Sequence, residues 1–257
     1  MEFNAQMVAL GTIVRKEIKR FSRIWVQTLL PPVITMSLYF VIFGKLIGSR
    51  VGTMDGISYM QFVVPGLIMM AVLTNSYTNV VSSFFSAKFQ RSIEELLVSP
   101  TPNVIILLGY CAGGMARGLC VGALVTVVAL FFTDIQVHSW PLTAGIIFLT
   151  SLFFSLAGFI NAVYANTFDD ISIVPTFVLT PLTYLGGVFY SVSLLPEFWQ
   201  WVSHLNPILH MVSAFRYGML GTGGENVGFA FAGLIVFTAV LFAVGLHLLK
   251  SGKRLRA

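Results

Sequence analysis

The side chains best equipped for chemistry in this 257-residue sequence are four histidines, two cysteines and ten acids, and their spacing supports no reaction centre. His138, His204, His210 and His247 stand apart, with no cysteine or acid at metal-ligand spacing beside them. His204 and His210 miss a shared helical face. Cys111 and Cys120 fall in one apolar run and give neither a disulfide framework nor a zinc pattern. Neither a Gly-x-Ser-x-Gly elbow nor a Gly-x-x-x-x-Gly-Lys-Ser/Thr phosphate loop occurs. The chain therefore has no usual P-loop for ATP, and any work it does draws energy from elsewhere.

Charged groups inside a bilayer are expensive and mark function. Every acid here (Glu2, Glu17, Asp55, Glu94, Glu95, Asp134, Asp169, Asp170, Glu197, Glu225) falls at the end of an apolar run or in a connection. A carrier coupled to protons or sodium usually needs a buried carboxylate, so that class is disfavoured. Arg117 alone lies within a run. Snorkelling or pairing with a neighbour is its favoured reading, and contact with an anionic substrate group is the alternative. Tyr39, Tyr164, Tyr184 and Tyr190, with Thr176, Thr180 and Thr183, are candidates to face an interior path, although lipid contact or helix packing is the favoured reading of each.

The elements that must position these residues are apolar helices. Hydrophobic residues make up 56% of the chain and charged ones 10%, against about a quarter charged in soluble domains. Six runs reach the roughly 20 residues needed to cross a bilayer: Trp25–Ile47, Tyr59–Phe85, Val104–Phe132, Leu142–Tyr164, Ile171–Tyr190 and Gly228–Leu249. They are apolar on all faces, which argues against barrel strands. No cleavable signal peptide is apparent. The net charge of +5 reflects topology rather than nucleic-acid binding. Arg15, Lys16, Lys19, Arg20, Arg23, Lys88, Arg91, Lys250, Lys253, Arg254 and Arg256 fall on one side, and only Lys45, Arg50 and Arg216 on the other. The positive-inside rule then predicts both termini in the cytoplasm, with membrane lipids as the partners of the basic ends.

Residues 1–24 read as an amphipathic helix at the cytoplasmic interface. Arg15, Lys16, Lys19, Arg20 and Arg23 fall within an arc of about 140°, opposite Met7, Leu10, Ile13, Val14, Ile18, Phe21, Ile24 and Trp25. Pro31 and Pro32 are placed to kink or delay the first span. Between the second and third runs, Phe89-Gln-Arg-Ser-Ile-Glu-Glu-Leu-Leu-Val98 reads as a short amphipathic helix stopped by Ser99-Pro-Thr-Pro102. Lys88 and Arg91 stand at helical spacing from Glu95 and Glu94. Gly109/Gly113 and Gly114/Gly118 fit a small-xxx-small packing pattern. Residues 191–227 are too polar to span and too apolar for a free loop; two short helices split at Asn206-Pro207, with Trp199 and Trp201 at the interface, fit them.

The Phe89–Pro102 segment resembles the one that follows the second span of type-2 ABC transporter (ABC-2) permeases. Pro175…Pro181-Leu-Thr-Tyr-Leu-Gly-Gly-Val-Phe-Tyr190…Leu195-Pro196…Trp199…Asn206-Pro207…Phe215-Arg216-Tyr217 is similar to their C-terminal signature. The order of elements agrees over essentially the whole chain, most closely with the YadH-like inner-membrane permeases of Gram-negative bacteria. The resemblance implies an all-α membrane protein with six transmembrane helices, N-in and C-in. Residues 25–257 would form the ABC-2 transmembrane domain, with a coupling helix at about 87–99 and external re-entrant helices at about 191–222. It implies a homodimer in the bacterial inner membrane, bound to two copies of a separate ABC ATPase that carries ATP and Mg. No cofactor and no catalytic residue are implied in this chain.

The coupling residues would be Phe89, Arg91, Glu94, Glu95 and Leu96, with the interface helix (Arg15, Lys16, Lys19, Arg20) touching the same partner. Tyr39, Thr180, Tyr184 and Tyr190 would be candidates for the path. Where the family often carries Gly-Thr, this chain has Ser92-Ile93, which leaves Glu94 and Glu95 as alternative docking registers. The expected activity is export of an amphipathic or lipid-like substrate. A non-transporting assembly or scaffold protein is the alternative, and an adjacent gene for a P-loop ATPase would discriminate between them. A lipid-modifying enzyme would need a catalytic pair that the sequence does not contain.

Overall fold

The computed structural model describes residues 2–222 and 227–252, so Glu225 and the basic residues Lys253, Arg254 and Arg256 lie outside the described residues. Helix α1 (Phe3–Arg23) buries one stripe, Ile13, Glu17 and Phe21, spaced four apart on a single face. Helices α2 (Trp25–Thr28) and α3 (Leu30–Tyr39), a π-helical stretch (Phe40–Ile47) and α4 (Gly48–Val51) follow as one run. Pro31 and Pro32 occupy the first turn of α3, where a missing N–H costs no helical bond. A hairpin, β1 (Thr53–Met54) and β2 (Ile57–Ser58), then turns at Asp55-Gly56 with positive φ at both residues, the geometry that an Asp-Gly pair favours.

Helix α5 (Tyr59–Phe89) is the central post of the bundle. Gln90 closes it and Arg91, in a left-handed conformation (φ 59°), redirects the chain into α6 (Ser92–Val98). Helices α7 (Asn103–Ala129) and α8 (Trp140–Tyr164) pack on α5 and on each other. The expected span Ile171–Tyr190 is instead an interrupted helix over 170–184: α9 (Asp170–Val174), a π-helical stretch (Pro175–Leu179) and α10 (Thr180–Tyr184). Pro175 and Pro181 remove backbone donors, which breaks the ladder into those pieces. Two helices, α11 (Glu197–His204) and α12 (Pro207–Leu220), precede α13 (Val227–Ser251). Their break at Asn206-Pro207 is where the sequence predicts it; the Asn206 side chain accepts from the Ile208 N–H and donates to Leu182 O.

Among the described residues, five helical runs are long and apolar enough to cross a membrane: Trp25–Val51, α5, α7, α8 and α13. At about 1.5 Å per residue, the helix over 170–184 covers roughly 22 Å, short of a hydrocarbon core of about 30 Å. The ends of the bundle are defined by contacts. Gly245 of α13 lies against Leu107 near the start of α7, and Gly145 near the start of α8 faces Phe231 of α13. The C-terminal end of α13 therefore stands at the same end of the bundle as α1 and α6. The hairpin β1–β2 and the α11–α12 pair occupy the opposite end.

Glycines on two faces of α7 set the helix spacing. A Cβ at Gly109 would meet Ile13 of α1 at 2.5 Å, and one at Gly113 would collide with Glu17. On the adjoining face, Gly114 meets Val80 and Ser155, Gly118 meets Ser76 and the Val72 carbonyl, and Gly122 meets Val72. The small-xxx-small pattern is thus used twice, once for the interface helix and once for the central post.

Candidate functional site

The end of the bundle that carries α6 gathers most of the charged residues. In α6, Ile93 is buried and Leu96 and Leu97 pack on the core, so the helix is held by one apolar edge. Arg91, Glu95 and Val98 are exposed, Phe89 is 62% exposed, and Glu94 is half-buried. Glu95 rather than Glu94 therefore projects outward. The pairing expected between Lys88 and Glu95 along one helix is interrupted by the turn at Gln90-Arg91. Lys88 is buried and donates Nζ to Val163 O at 2.8 Å and Ala165 O at 2.7 Å, neutralising the carbonyl end of α8. Phe168 packs edge-on against both Phe85 and Phe89, with ring centroids 4.9 and 5.0 Å apart. Loop 165–169 is thereby tied to the α5–α6 corner, and it leads directly into α9. Asp170 opens that helix by accepting the N–H groups of Asn166 and Thr167.

Helix α1 is anchored more deeply than an interface helix needs. Arg15, Lys16 and Lys19 are exposed as expected, but Arg20 departs from the basic arc. Its guanidinium pairs with Glu17 (Nε to Oε2, 3.3 Å) and donates to Asn79 O and Oδ1 at 3.0 and 2.8 Å. Glu17 is fully buried and also accepts from Ser83 Oγ at 2.8 Å. Treating every acid as peripheral missed Glu17; the available signal was its position four residues from both Ile13 and Phe21 on the buried stripe. The apolar arc is divided, since Ile13 and Phe21 face α7 and its neighbours while Met7 and Ile18 remain half exposed.

Arg117 follows the pairing reading. It is buried, and Nη2 donates to Thr28 O and Asn75 Oδ1, each at 3.1 Å. Thr28 Oγ1 in turn donates to Phe21 O at 2.8 Å, so one network links the end of α1, the start of the first span, α5 and α7.

Three of the four candidate path residues meet at the opposite end. Phe189 stacks on Tyr184 and meets Tyr39 edge-on, with ring centroids 5.9 and 5.8 Å away. Tyr190 donates its hydroxyl to Tyr184 O at 2.9 Å. Thr180 stays apart, exposed and bonded to Pro175 O across the π-helical stretch. Among the described residues no cluster of three His, Cys, Asp or Glu side chains stands ready for a metal. Asn79 and Phe168 were not singled out from sequence, because an asparagine in an apolar run and a phenylalanine in a turn carry no pattern of their own.

A family model described as ABC-2 type transporter matches residues 8–220. The chain is 62% identical over 250 residues to the inner membrane transport permease YadH of Escherichia coli (strain K12), covering 97% of this chain and 98% of that protein. It is 28% identical over 218 residues to nodulation protein J of Sinorhizobium fredii (strain NBRC 101917 / NGR234), covering 83% and 81% of the two chains. It is also 27% identical over 214 residues to nodulation protein J of Rhizobium meliloti (strain 1021), covering 83% and 82%.

Proposed function

The chain belongs to the ABC-2 type transporter family as a membrane permease, and on that premise we propose that it is the transmembrane subunit of an exporter driven by two copies of a separate ABC ATPase. The observation that carries the reading is α6, a helix anchored by Ile93 whose outer face, Arg91, Glu95 and Val98, is exposed. A surface of that kind, charged at its rim and apolar at Phe89 and Val98, suits a protein groove better than lipid. The ATPase would press there and on Arg15, Lys16 and Lys19. Motion at α6 would pass through Lys88 to the end of α8, and through Phe89 and Phe168 into α9. Glu95 is the docking carboxylate in this reading, and Glu94 supports it from the half-buried side.

Topology follows the same frame. The helix over 170–184 and its turn would complete a sixth crossing, placing both termini in the cytoplasm of a multi-pass inner-membrane protein. The shared end of α1 and the C-terminal end of α13 supports an even number of crossings. A homodimer is supported by the first span, whose most apolar stretch, like that of α13, is only 11% buried within one chain, against 78% for α5. Its exposed Leu30, Ile34 and Leu38, with Ile173 and Phe177, offer faces for a second copy and for lipid. The aromatic cluster at Tyr39, Tyr184 and Tyr190 would line the outward part of a path for an amphipathic substrate.

Reversing charge with Arg91→Glu and Glu95→Lys together should abolish co-purification of the partner ABC ATPase, while membrane insertion stays intact. Unchanged co-purification would overturn the assignment. Lys88→Met should behave differently. It leaves the outer face of α6 intact but frees the end of α8, so the ATPase still binds while substrate-stimulated ATP hydrolysis falls about tenfold, a typical coupling energy for two linked sites.

A further inference from the structure

At the end of the bundle opposite α6, the hairpin, the turn 185–190, α11 and α12 enclose a cavity of about 590 Å³. Arg216 lines it and is 92% buried (8% exposed). Its Nη2 donates to Gly187 O at 2.7 Å and its Nε to Phe62 O at 3.2 Å, and its guanidinium carbon sits 3.8 Å from the centroid of the Phe62 ring. Those contacts use two of five N–H donors. No carboxylate lies within ion-pair distance of Arg216 among the described residues. A buried cation held by carbonyls and an aromatic face, with Asp55 near it but beyond ion-pair distance, is only partly compensated, and an arriving anion completes the compensation.

Neighbouring side chains extend the same chemistry. Ser213 lies one turn before Arg216 on α12, and His204 comes from α11; both line the cavity and neither side chain donates to another described residue. Phe62 and Phe229 provide an apolar wall. A guanidinium fork with a hydroxyl and an imidazole near it offers more donors than a carboxylate has oxygens, which favours a phosphate. The volume is that of a small-molecule site of roughly 300–1,000 Å³, larger than a lone phosphate needs. Asp55 on the hairpin also lines the cavity and is the one acid among its described lining residues, so it opposes an anion and tunes the site.

We propose that this cavity binds a phosphate-bearing headgroup, with the phosphate on Arg216 and Ser213 and the less polar part against Phe62 and Phe229. The proposal deepens the permease reading, and rests on it for placing the site at the outward end. Two sources share this chemistry, an amphipathic lipid and a soluble phosphate compound. Calorimetric titration separates them, using the purified full chain in neutral detergent with Arg15, Lys16 and Lys19 replaced by glutamine to silence the other basic face. The probes are short-chain phosphatidic acid, the matching diacylglycerol and inorganic phosphate.

Phosphatidic acid should bind saturably and diacylglycerol at least about tenfold more weakly. Ser213→Asp, which sets a carboxylate beside Arg216, should weaken phosphatidic acid about tenfold. Asp55→Asn keeps the turn, because Asn-Gly is equally suited to it, and should tighten binding about threefold. Inorganic phosphate competing at a comparable concentration, with the same response to both variants, would support the site and assign it a soluble ligand. Its failure to compete would support it with a lipid ligand. Equal binding of diacylglycerol, or indifference to Ser213→Asp and Asp55→Asn, would overturn the proposal. Failure of the permease reading would appear elsewhere, as an ATPase that ignores α6 while phosphate binding is unaffected.

Discussion

Gly118→Val should prevent recovery of a folded, monodisperse protein, with a loss of about 3 kcal/mol or more of stability. A Cβ at 118 collides with Ser76 Oγ and comes within 2.9 Å of the Val72 carbonyl. The opposing atoms include backbone of the most buried helix, so they cannot move aside as a flexible side chain would. Gly233→Val is the matched control, because nothing lies within 4 Å of a Cβ there; it should alter stability by less than about 0.5 kcal/mol. Size-exclusion profiles and thermal midpoints in detergent compare the two. Equal behaviour would refute the close approach of α5 and α7.

Arg20→Ala should have the second largest effect, lowering stability by about 2–4 kcal/mol. Breaking a buried pair from one side leaves the other charge uncompensated, and Glu17 is fully buried. The Arg20 side chain is 30% exposed, which keeps the figure below that of a fully enclosed pair. Much of the loss should return in the double variant Glu17→Gln/Arg20→Ala, since the amide keeps the bond to Ser83 without the charge. Thermal unfolding of the four proteins in a double-mutant cycle gives the coupling energy. Additive losses would show that Glu17 and Arg20 do not act as a pair.

Such a pair has a consequence for energy transfer. It fastens α1 to Asn79 and Ser83 of α5, while Lys88 and Ile93 fasten the α5–α6 corner two turns further on. Both surfaces proposed to meet the ATPase are thus joined to one rigid helix. A push on either is delivered to α5, whose tight contacts with α7 and α8 resist bending. The softer parts are the π-helical stretches at Phe40–Ile47 and Pro175–Leu179, irregularities often found at functional sites. They lie in the two least regular apolar runs, those that contribute Tyr39 and Tyr184 to the outer cluster.

Much of this architecture was legible locally. Run length and composition marked all five long helical runs almost to their ends. Asn206-Pro207 marked the break between α11 and α12 because proline has no N–H to donate to a helical bond. The run 171–190 was legible as one apolar length but not as an interrupted helix, since Pro175, Pro181 and the pair Gly186-Gly187 break it up. The charge pairs Lys88–Glu95 and Arg91–Glu94 were misread because helical spacing presumes a continuous helix, and Arg91 adopts a left-handed turn between α5 and α6.

Composition and local pattern are enough to identify a helical membrane protein, to place its long helices and to pick out the short helix that carries the exposed charges. Those properties depend on composition and on neighbours within a few residues, which hydrophobic transfer and backbone geometry read directly. Long-range packing alone settles that Glu17 is buried, that Arg117 holds Thr28, and that Arg216 lines a cavity with no ion-pair partner among the described residues. Each depends on which faces of distant helices meet, and the glycines of α7 set that contact through a steric fit that hydropathy does not register.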